Sequence, residues 1–383
     1  MRFRLDPELE QFQTDVHDHV STLMTPELEQ RIYETGVFHD ADFTRGLAEK
    51  GWYASDLSDG ERLTAFQTQI LIAELHRVDA PMYLGETTRM VASVIRQAGT
   101  PFQKDRVLEG AAKGEVTIAL GFSEPECGSD VAAAATRAIR DGDDWVVNGS
   151  KMFTTNGHIA DYVFLLARTD TSVAKHKGLT MFLVPTNVAG FEAQAVWTLS
   201  GERTNITFYS DLRIGDEWRV GEVNGGWQVL LLALEDEHAS GWGPHIERLL
   251  RHTEAWASNA TDAAGNVRID DKDVRRRLAR VAMEVEVSTL LLQRCAWMDD
   301  VGQKIDAEGP MSKLFSTEAL ERAAQDINEL VGPDALRSHF EPSAPENGLI
   351  QQIMRFSLGT TIYAGTSEVQ RTIIAQRGLG LPR

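Results

Sequence analysis

Apolar residues near the start of the chain recur at spacings of three and four. Leu9, Phe12, Val16, Val20 and Leu23 form one stripe. Asp6-Pro7 stands before it as an N-cap and a first-turn proline, so the segment predicts a helix. Further helical runs are predicted over about 63–78 and 87–97. The texture changes near Val116. Short apolar runs at 116–122, 136–140, 145–147, 162–168 and 179–184, with segments from Ala195 to Ile214, predict strands. Asp141-Gly142 and Asn148-Gly149 accept positive φ and predict tight hairpins. The middle of the chain thus reads as an antiparallel, hairpin-rich β domain. After Asn224-Gly225-Gly226 the helical period returns over 227–238, 273–301 and 313–331, the last closed by Gly332-Pro333. A polar loop containing Gly265 lies between Asn259 and Asp273. A final helix runs from near Thr366 to about Gln376. The order predicts a mainly α protein with a central β domain, divided into residues 1–115, 116–223 and 224–383.

Composition narrows the function. A chain of 383 residues accommodates two or three domains. Lys and Arg number 38 against 57 Asp and Glu, giving 38 − 57 = −19. That charge repels phosphate backbones, so a nucleic-acid partner is not expected. No run approaches the roughly 18 apolar residues of a membrane span, and the first residues lack a signal-peptide core, so a soluble, cytoplasmic protein is expected. Cys127 and Cys295 are too few for a disulfide scaffold or a cysteine zinc cluster. His17 and His19 lie two apart, do not share a helix face, and read as solvated rather than as metal ligands.

Common catalytic motifs are missing. No Gly-x-Gly-x-x-Gly follows a strand and opens a helix, and neither a phosphate-binding Walker loop, a His-Glu-x-x-His nor a nucleophile elbow occurs. Three segments stand out instead. Gly121–Asp130 is a small, polar turn after an apolar strand, suited to lining a cofactor edge or simply to turning the chain. Lys151–Gly157 offers Phe153 for stacking on a flat ring and Thr155 as a hydrogen-bond donor; read alone, Phe153 fits a core aromatic equally. Tyr363–Arg371 places Thr366 as cap of the last helix, with its first amides facing whatever anion lies in front; a plain capped helix is the alternative.

Together, in this order and at these separations, the three segments resemble the flavin-dependent acyl-CoA dehydrogenases over nearly the whole chain. Phe122-Ser123-Glu124-Pro125-x-x-Gly128-Ser129-Asp130 is similar to that family's first signature. Tyr363-x-Gly365-Thr366-Ser367-Glu368 with Gln370-Arg371 is similar to its closing one. The resemblance implies an N-terminal helical domain, a middle β domain, a C-terminal four-helix bundle, bound FAD and dimers of dimers. It places Phe122 and Ser123 at the flavin pyrimidine edge, with Leu120 also on the cofactor. Ser129 falls on the pantetheine arm and flavin, Phe153 at the stacking aromatic, and Thr155 at flavin N5. Thr366, Ser367 and Glu368 fall at the adenosine and pyrophosphate. Glu235, His238, Ala364 and Gly365 join Ser129 toward the acyl-CoA.

Two departures matter. Many members carry the catalytic carboxylate where this chain has Ala364. Others place it on the helix that starts the C-terminal domain, and there the resemblance assigns the base to Glu237. Residues 235, 236 and 237 project about 100° apart, so one of them faces the reaction. Acidic neighbours and a dry pocket would raise the pKa of that base. Ala364 keeps a backbone amide for the thioester carbonyl. The second departure concerns the FAD pyrophosphate. The segment where a neighbouring subunit usually supplies Arg reads Thr261-Asp262-Ala263-Ala264-Gly265, and a usual Gln is Glu329. Arg275-Arg276-Arg277 is a possible substitute or a solvated face. The pattern resembles one half of the two-subunit enzymes of actinobacterial steroid side-chain breakdown, with a second chain supplying the trans contacts. Ala239, Ser240, Gly241 and Gly243 leave room for a branched or polycyclic acyl group, or allow close helix packing. The expected activity is α,β-desaturation of an acyl-CoA, with an electron-transferring flavoprotein as acceptor. The competing readings are a flavin oxidase or monooxygenase on the same fold and an FAD-poor, non-catalytic partner subunit.

Overall fold

The computed structural model describes residues 5–53, 57, 62–237, 241–339 and 341–382, and at 235–237 the backbone alone. Helices α1 (Pro7–Leu23), α2 (Pro26–Thr35), α3 (Ala41–Glu49), α4 (Ala65–Arg77), α5 (Tyr83–Ala98) and α6 (Pro101–Ala112) come first. The strands are β1 (Ile118–Gly121), β2 (Arg137–Asp141), β3 (Asp144–Lys151), β4 (Tyr162–Arg168), β5 (Leu179–Pro185), β6 (Phe191–Trp197), β7 (Arg203–Gly215) and β8 (Arg219–Val220). Helices α7 (Gly226–Glu237), α8 (Gly243–Asn259), α9 (Lys272–Asp300), α10 (Glu308–Val331), α11 (Leu349–Thr360) and α12 (Ser367–Ile373) follow. The helix–strand–helix order is the expected one. Five helices that periodicity did not single out, α2, α3, α6, α8 and α11, complete it. Two of these carry strong starts: Thr25 accepts from the Leu28 amide, and Thr100 forms a capping box with Gln103.

Residue contacts group the chain into two units: residues 1–20, 64–79 and 237–383, and residues 21–63 and 80–236. The second unit contains the sheet, in the order β6-β7-β3-β2-β4-β5-β8 with β1 added to β4. Strands β4 and β5 are continuous apolar runs because both faces are covered. Phe164, Leu166, Met181 and Leu183 pack toward α5 and α6, while Val163, Leu165, Phe182 and Val184 face Trp145 and Tyr209. Two expectations need correction. The sheet is mostly antiparallel, but β1 lies parallel to β4, with Ile118 opposite Tyr162. Asp141-Gly142 does open a tight hairpin, Asp141 pairing with Asp144. Asn148-Gly149 does not turn the chain: it is a bulge inside β3. A Cβ on Gly149 would meet Thr136 Cα at 2.7 Å, and the Asn148 side chain donates to Asp211 Oδ1 at 3.0 Å, so the dipeptide serves a close strand crossing.

The start of α7 is fixed from this sheet. Asn224, at φ 64°, donates its amide to Thr180 Oγ1 at 2.8 Å and accepts from the Thr169 hydroxyl at 2.6 Å. A Cβ on Gly226 would lie 2.7 Å from Thr180 Cα, so glycine is what lets the helix begin against β5.

In the first unit α8, α9, α10 and α11 form the expected four-helix bundle. Ile246, Leu249, Leu278, Val281, Leu320, Ile327, Ile353 and Phe356 are its buried core. α4 packs on α8 and α9, and α12 on α10. Gly243 and Gly241 make close approaches there, the former with a virtual Cβ 3.1 Å from Ser288 Cβ, so both favour tight packing over room for a ligand. His17 is exposed, as expected, and its Nδ1 also lies 3.1 Å from the buried Glu74 carboxylate. Among the described residues no cluster suits a metal ion, and no helix is long and apolar enough to cross a membrane.

Candidate active site

The first motif is held by charges beneath it. The chain leaves β1, and Glu124 and Cys127 exchange backbone hydrogen bonds of 2.8 and 3.1 Å around Pro125-Glu126. The Glu124 carboxylate accepts the amides of Ala135 at 2.7 Å and Thr136 at 2.9 Å, which closes the loop. Lys151, at the end of β3 and fully buried, donates to that carboxylate at 2.7 Å and to the Phe122 carbonyl at 3.1 Å. Burial pushes the Lys151 ammonium pKa down, against the pull of Glu124. Burial would raise the Glu124 carboxyl, but Lys151 and the two amides outweigh it and hold the carboxyl below its ordinary value. Arg168 secures the rest of the loop, donating to the carbonyls of Ala134 at 3.2 Å, Ala132 at 2.5 Å and Lys175. Leu120, Phe122 and Ser123 are thereby half-buried on a rigid edge, and Ser129 is exposed.

The second motif is anchored on the same frame, because the Met152 amide donates to the Ser123 carbonyl at 2.9 Å. Phe153 is 58% exposed and has φ 62°. An aromatic in the left-handed region costs energy, and nothing in the core compensates by burying its ring. The core-aromatic reading is therefore excluded. The Thr155 hydroxyl bonds Thr204 Oγ1 at 3.1 Å, and Thr154 leads through Thr207 to the buried Tyr209 hydroxyl by contacts of 3.2 Å each. Asn205 joins β7 to this turn, donating to the Thr154 carbonyl at 3.0 Å and lying 3.3 Å from His158 Nδ1. Burial, with Arg203 nearby, lowers the His158 pKa to about 4.

The closing motif lies in the other unit. Ala364 has φ 52° and Gly365 φ 81°. The buried Lys313 of α10 donates to the carbonyls of Thr360 at 2.9 Å and Gly365 at 2.7 Å, and lies 5.7 Å above the Trp242 ring. Gln370 donates to the Ala364 carbonyl at 3.0 Å. Thr366 caps α12 as expected, accepting the Val369 amide at 3.3 Å. The helix-end amide and the Thr366 hydroxyl hold the Glu368 carboxyl below its ordinary value. Ser367 is buried, and among the described residues its hydroxyl has no partner. A cleft of about 460 Å³ opens here, lined in part by Glu318, Glu321, Arg322, Thr366, Ser367, Glu368 and Arg371. Both arginines already face carboxylates: Arg371 reaches Glu318 at 2.6 Å and Arg322 reaches Glu284 at 3.2 Å.

Other expected residues fall as follows. Glu235 and Glu237 lie in the last turn of α7, where the backbone alone is described, and His238, Ala239 and Ser240 lie outside the described residues. Glu329 is exposed on α10, 4.0 Å from Arg277, which also meets Asp273 at 2.9 Å and Asp326 at 2.6 Å. Arg276 likewise reaches Asp273 at 2.5 Å, so acidic neighbours occupy these two arginines. Loop 261–265 is tied to itself through Asp262, which accepts the Ala264 and Asn266 amides at 2.8 and 2.9 Å. Sequence reasoning missed Glu124, Lys151 and Lys313 as organisers of the motifs. Their signal was weak: a lysine ending a strand and another inside a helix read as surface residues.

Comparison with known proteins gives one consistent answer. Models of the acyl-CoA dehydrogenase N-terminal, middle and C-terminal domains match residues 6–115, 119–213 and 224–379. The acyl-CoA dehydrogenase FadE26 of Mycobacterium tuberculosis is 34% identical over 401 residues, covering 100% of this chain and 99% of that protein. The crystal structure of the ChsE4-ChsE5 complex from Mycobacterium tuberculosis contains a chain 34% identical, with a TM-score of 0.91 and all of both chains covered. A chain of the Tcur3481-Tcur3483 steroid ACAD is 29% identical, also with a TM-score of 0.91 and full coverage of both.

Proposed function

This chain belongs to the acyl-CoA dehydrogenase family, whose members are FAD-dependent oxidoreductases, and on that premise we propose that it desaturates the α,β bond of an acyl-CoA with a bulky, steroid-type side chain. The observation that carries the reading is Phe153. Its ring is exposed on a strained backbone two residues before the Thr155 hydroxyl, an arrangement that suits a flat cofactor and serves no visible packing need.

The residues fit FAD. Phe122 and Ser123, with Leu120 and Ser129, would meet the pyrimidine side, Phe153 would stack on the ring, and Thr155 would donate to it. Thr366, Ser367 and Glu368 would hold the adenosine half, where the unpartnered Ser367 hydroxyl supports a polar ligand. When bound, FAD would supply the hydride acceptor for Cβ. Glu237 takes the proton from Cα as general base. The Ala364 amide donates to the thioester carbonyl and stabilises the enolate-like charge that appears as Cα is deprotonated. Its left-handed backbone, fixed through Gly365 and Lys313, sets the direction of that amide. Glu235, His238, Ser129 and Gly365 contact the substrate.

The chain works as one half of a two-chain enzyme, with an electron-transferring flavoprotein as acceptor. The arginines of the cleft are committed to Glu318 and Glu284, and three carboxylates share its wall. A pyrophosphate there needs cations from outside this chain. The two solved relatives named above carry two-component names, and one is called a steroid ACAD.

The test is to purify the chain alone and with candidate partner chains. Flavin content is measured, and the enzyme is titrated anaerobically with short, branched, long and steroid acyl-CoAs. The expected result is low flavin alone, full flavin with a partner, and bleaching by the steroid thioester. Glu237→Gln should keep FAD and lose bleaching. A stoichiometric yellow homo-oligomer overturns the two-chain reading, retained bleaching in Glu237→Gln overturns the base, and rapid reoxidation by oxygen favours an oxidase.

A further inference from the structure

Lys151 and Glu124 form a buried ion pair under the first motif, and its orientation has a chemical consequence. The ammonium donates to the Glu124 carboxylate at 2.7 Å on one side and to the Phe122 carbonyl at 3.1 Å on the other. Lys151 is 0% exposed and Glu124 8%. Burying a pair so deeply is a poor way to gain stability, because desolvation offsets most of the attraction. The Phe122 carbonyl and the Ser123 N–H are the two ends of one peptide group. An ammonium on the oxygen polarises that group and makes the N–H a stronger donor. The pair is also a dipole whose positive end is nearest this peptide. The Glu124 carboxylate, the negative end, is directed away onto the Ala135 and Thr136 amides.

We propose that Lys151 is a positioning residue that raises the reduction potential of the flavin, acting through the Phe122–Ser123 peptide with Glu124 as its counter-charge. The proposal rests on the reading that Ser123 meets the flavin's pyrimidine edge. Negative charge accumulates on that edge when a flavin is reduced, so a donor strengthened there favours the reduced form. The two charges act in opposite directions, which separates this role from mere support of the loop.

Spectroelectrochemical titration of the purified holoenzyme, with its partner chain where loading requires one, tests the idea. Lys151→Met removes the ammonium and leaves the anion, and the potential should fall. Glu124→Gln, titrated at a pH low enough to keep the buried Lys151 protonated without its counter-charge, leaves the cation unneutralised, and the potential should rise. The double variant loses the dipole without a net charge change, and its potential should fall by less than that of Lys151→Met. Should a single variant fail to fold, the double variant, closely matched in volume, decides. Shifts of one sign in both single variants, or a double variant at the parental potential, overturn the proposal. A parent that takes up no flavin under any loading condition overturns the flavin reading itself, and the proposal with it.

Discussion

The Lys313 ammonium lies 2.7 Å from the Gly365 carbonyl oxygen and 2.9 Å from that of Thr360, so one buried cation ties α10 to both sides of the closing turn. Lys313→Met removes both bonds and leaves two carbonyls without that donor. With charged hydrogen bonds contributing about 1.5–3 kcal/mol each, a loss of about 3 kcal/mol is expected in urea unfolding. A loss below about 0.5 kcal/mol would show that the turn holds itself.

Ala364 occupies a backbone region that suits glycine, with φ 52°. Left-handed geometry costs an L-residue roughly 1–2 kcal/mol, and glycine returns part of that as unfolded-state entropy. Ala364→Gly should therefore stabilise the chain by about 0.5–1 kcal/mol. Thermal unfolding of the two proteins checks this, and a destabilised variant would mean that the methyl group makes contacts worth more than the strain.

Phe153 offers its ring without burying it. Phe153→Leu should leave unfolding stability nearly unchanged and weaken flavin binding three- to tenfold, roughly what a lost aromatic stack of about 0.5–1.5 kcal/mol implies. Fluorescence titration of the apoprotein measures it. A large fall in stability with unchanged flavin affinity would return Phe153 to a structural role.

His158 gives a pH dependence of defined sign. Its pKa is lowered from 6.5 to about 4 by burial and by Arg203, so between those values the unfolded chain binds the proton and the folded chain does not. Stability is therefore intact above about pH 6.5 and declines as pH falls toward 4. Comparing the slope of stability against pH in this window for the parent and His158→Gln isolates the contribution. An unchanged slope would exclude His158 as its source.

The sequence was most legible where local rules decide. Thr366 as a cap, Gly332 as a helix stop and Asp141-Gly142 as a hairpin follow from neighbouring residues and from backbone φ. Asn148-Gly149 obeys the same rule but sits opposite Asp211 and Thr136, and that tertiary neighbourhood makes it a bulge. Motif residues such as Phe153 and Ser123 stand out in the sequence because each lies in a short, unusual string. Glu124 and Lys151 stand 27 positions apart and Lys313 stands 52 from Gly365, so no local pattern announces that they meet. What supports a motif is decided by three-dimensional proximity, which periodicity does not encode.

The parallel seat of β1 beside β4 has a consequence for the order of assembly. The β2–β3 hairpin closes over two residues, whereas Ile118 meets Tyr162 only across 162 − 118 = 44 positions. Chain closure over that distance carries a larger entropic penalty, and it precedes any reward from pairing. The strand that delivers Phe122 and Ser123 is thus expected to join the sheet after the β2–β3 hairpin. By the same measure β7, which meets β3 across 207 − 151 = 56 to 215 − 144 = 71 positions, closes later still, so the first motif is expected to be seated between the hairpin and the completed sheet.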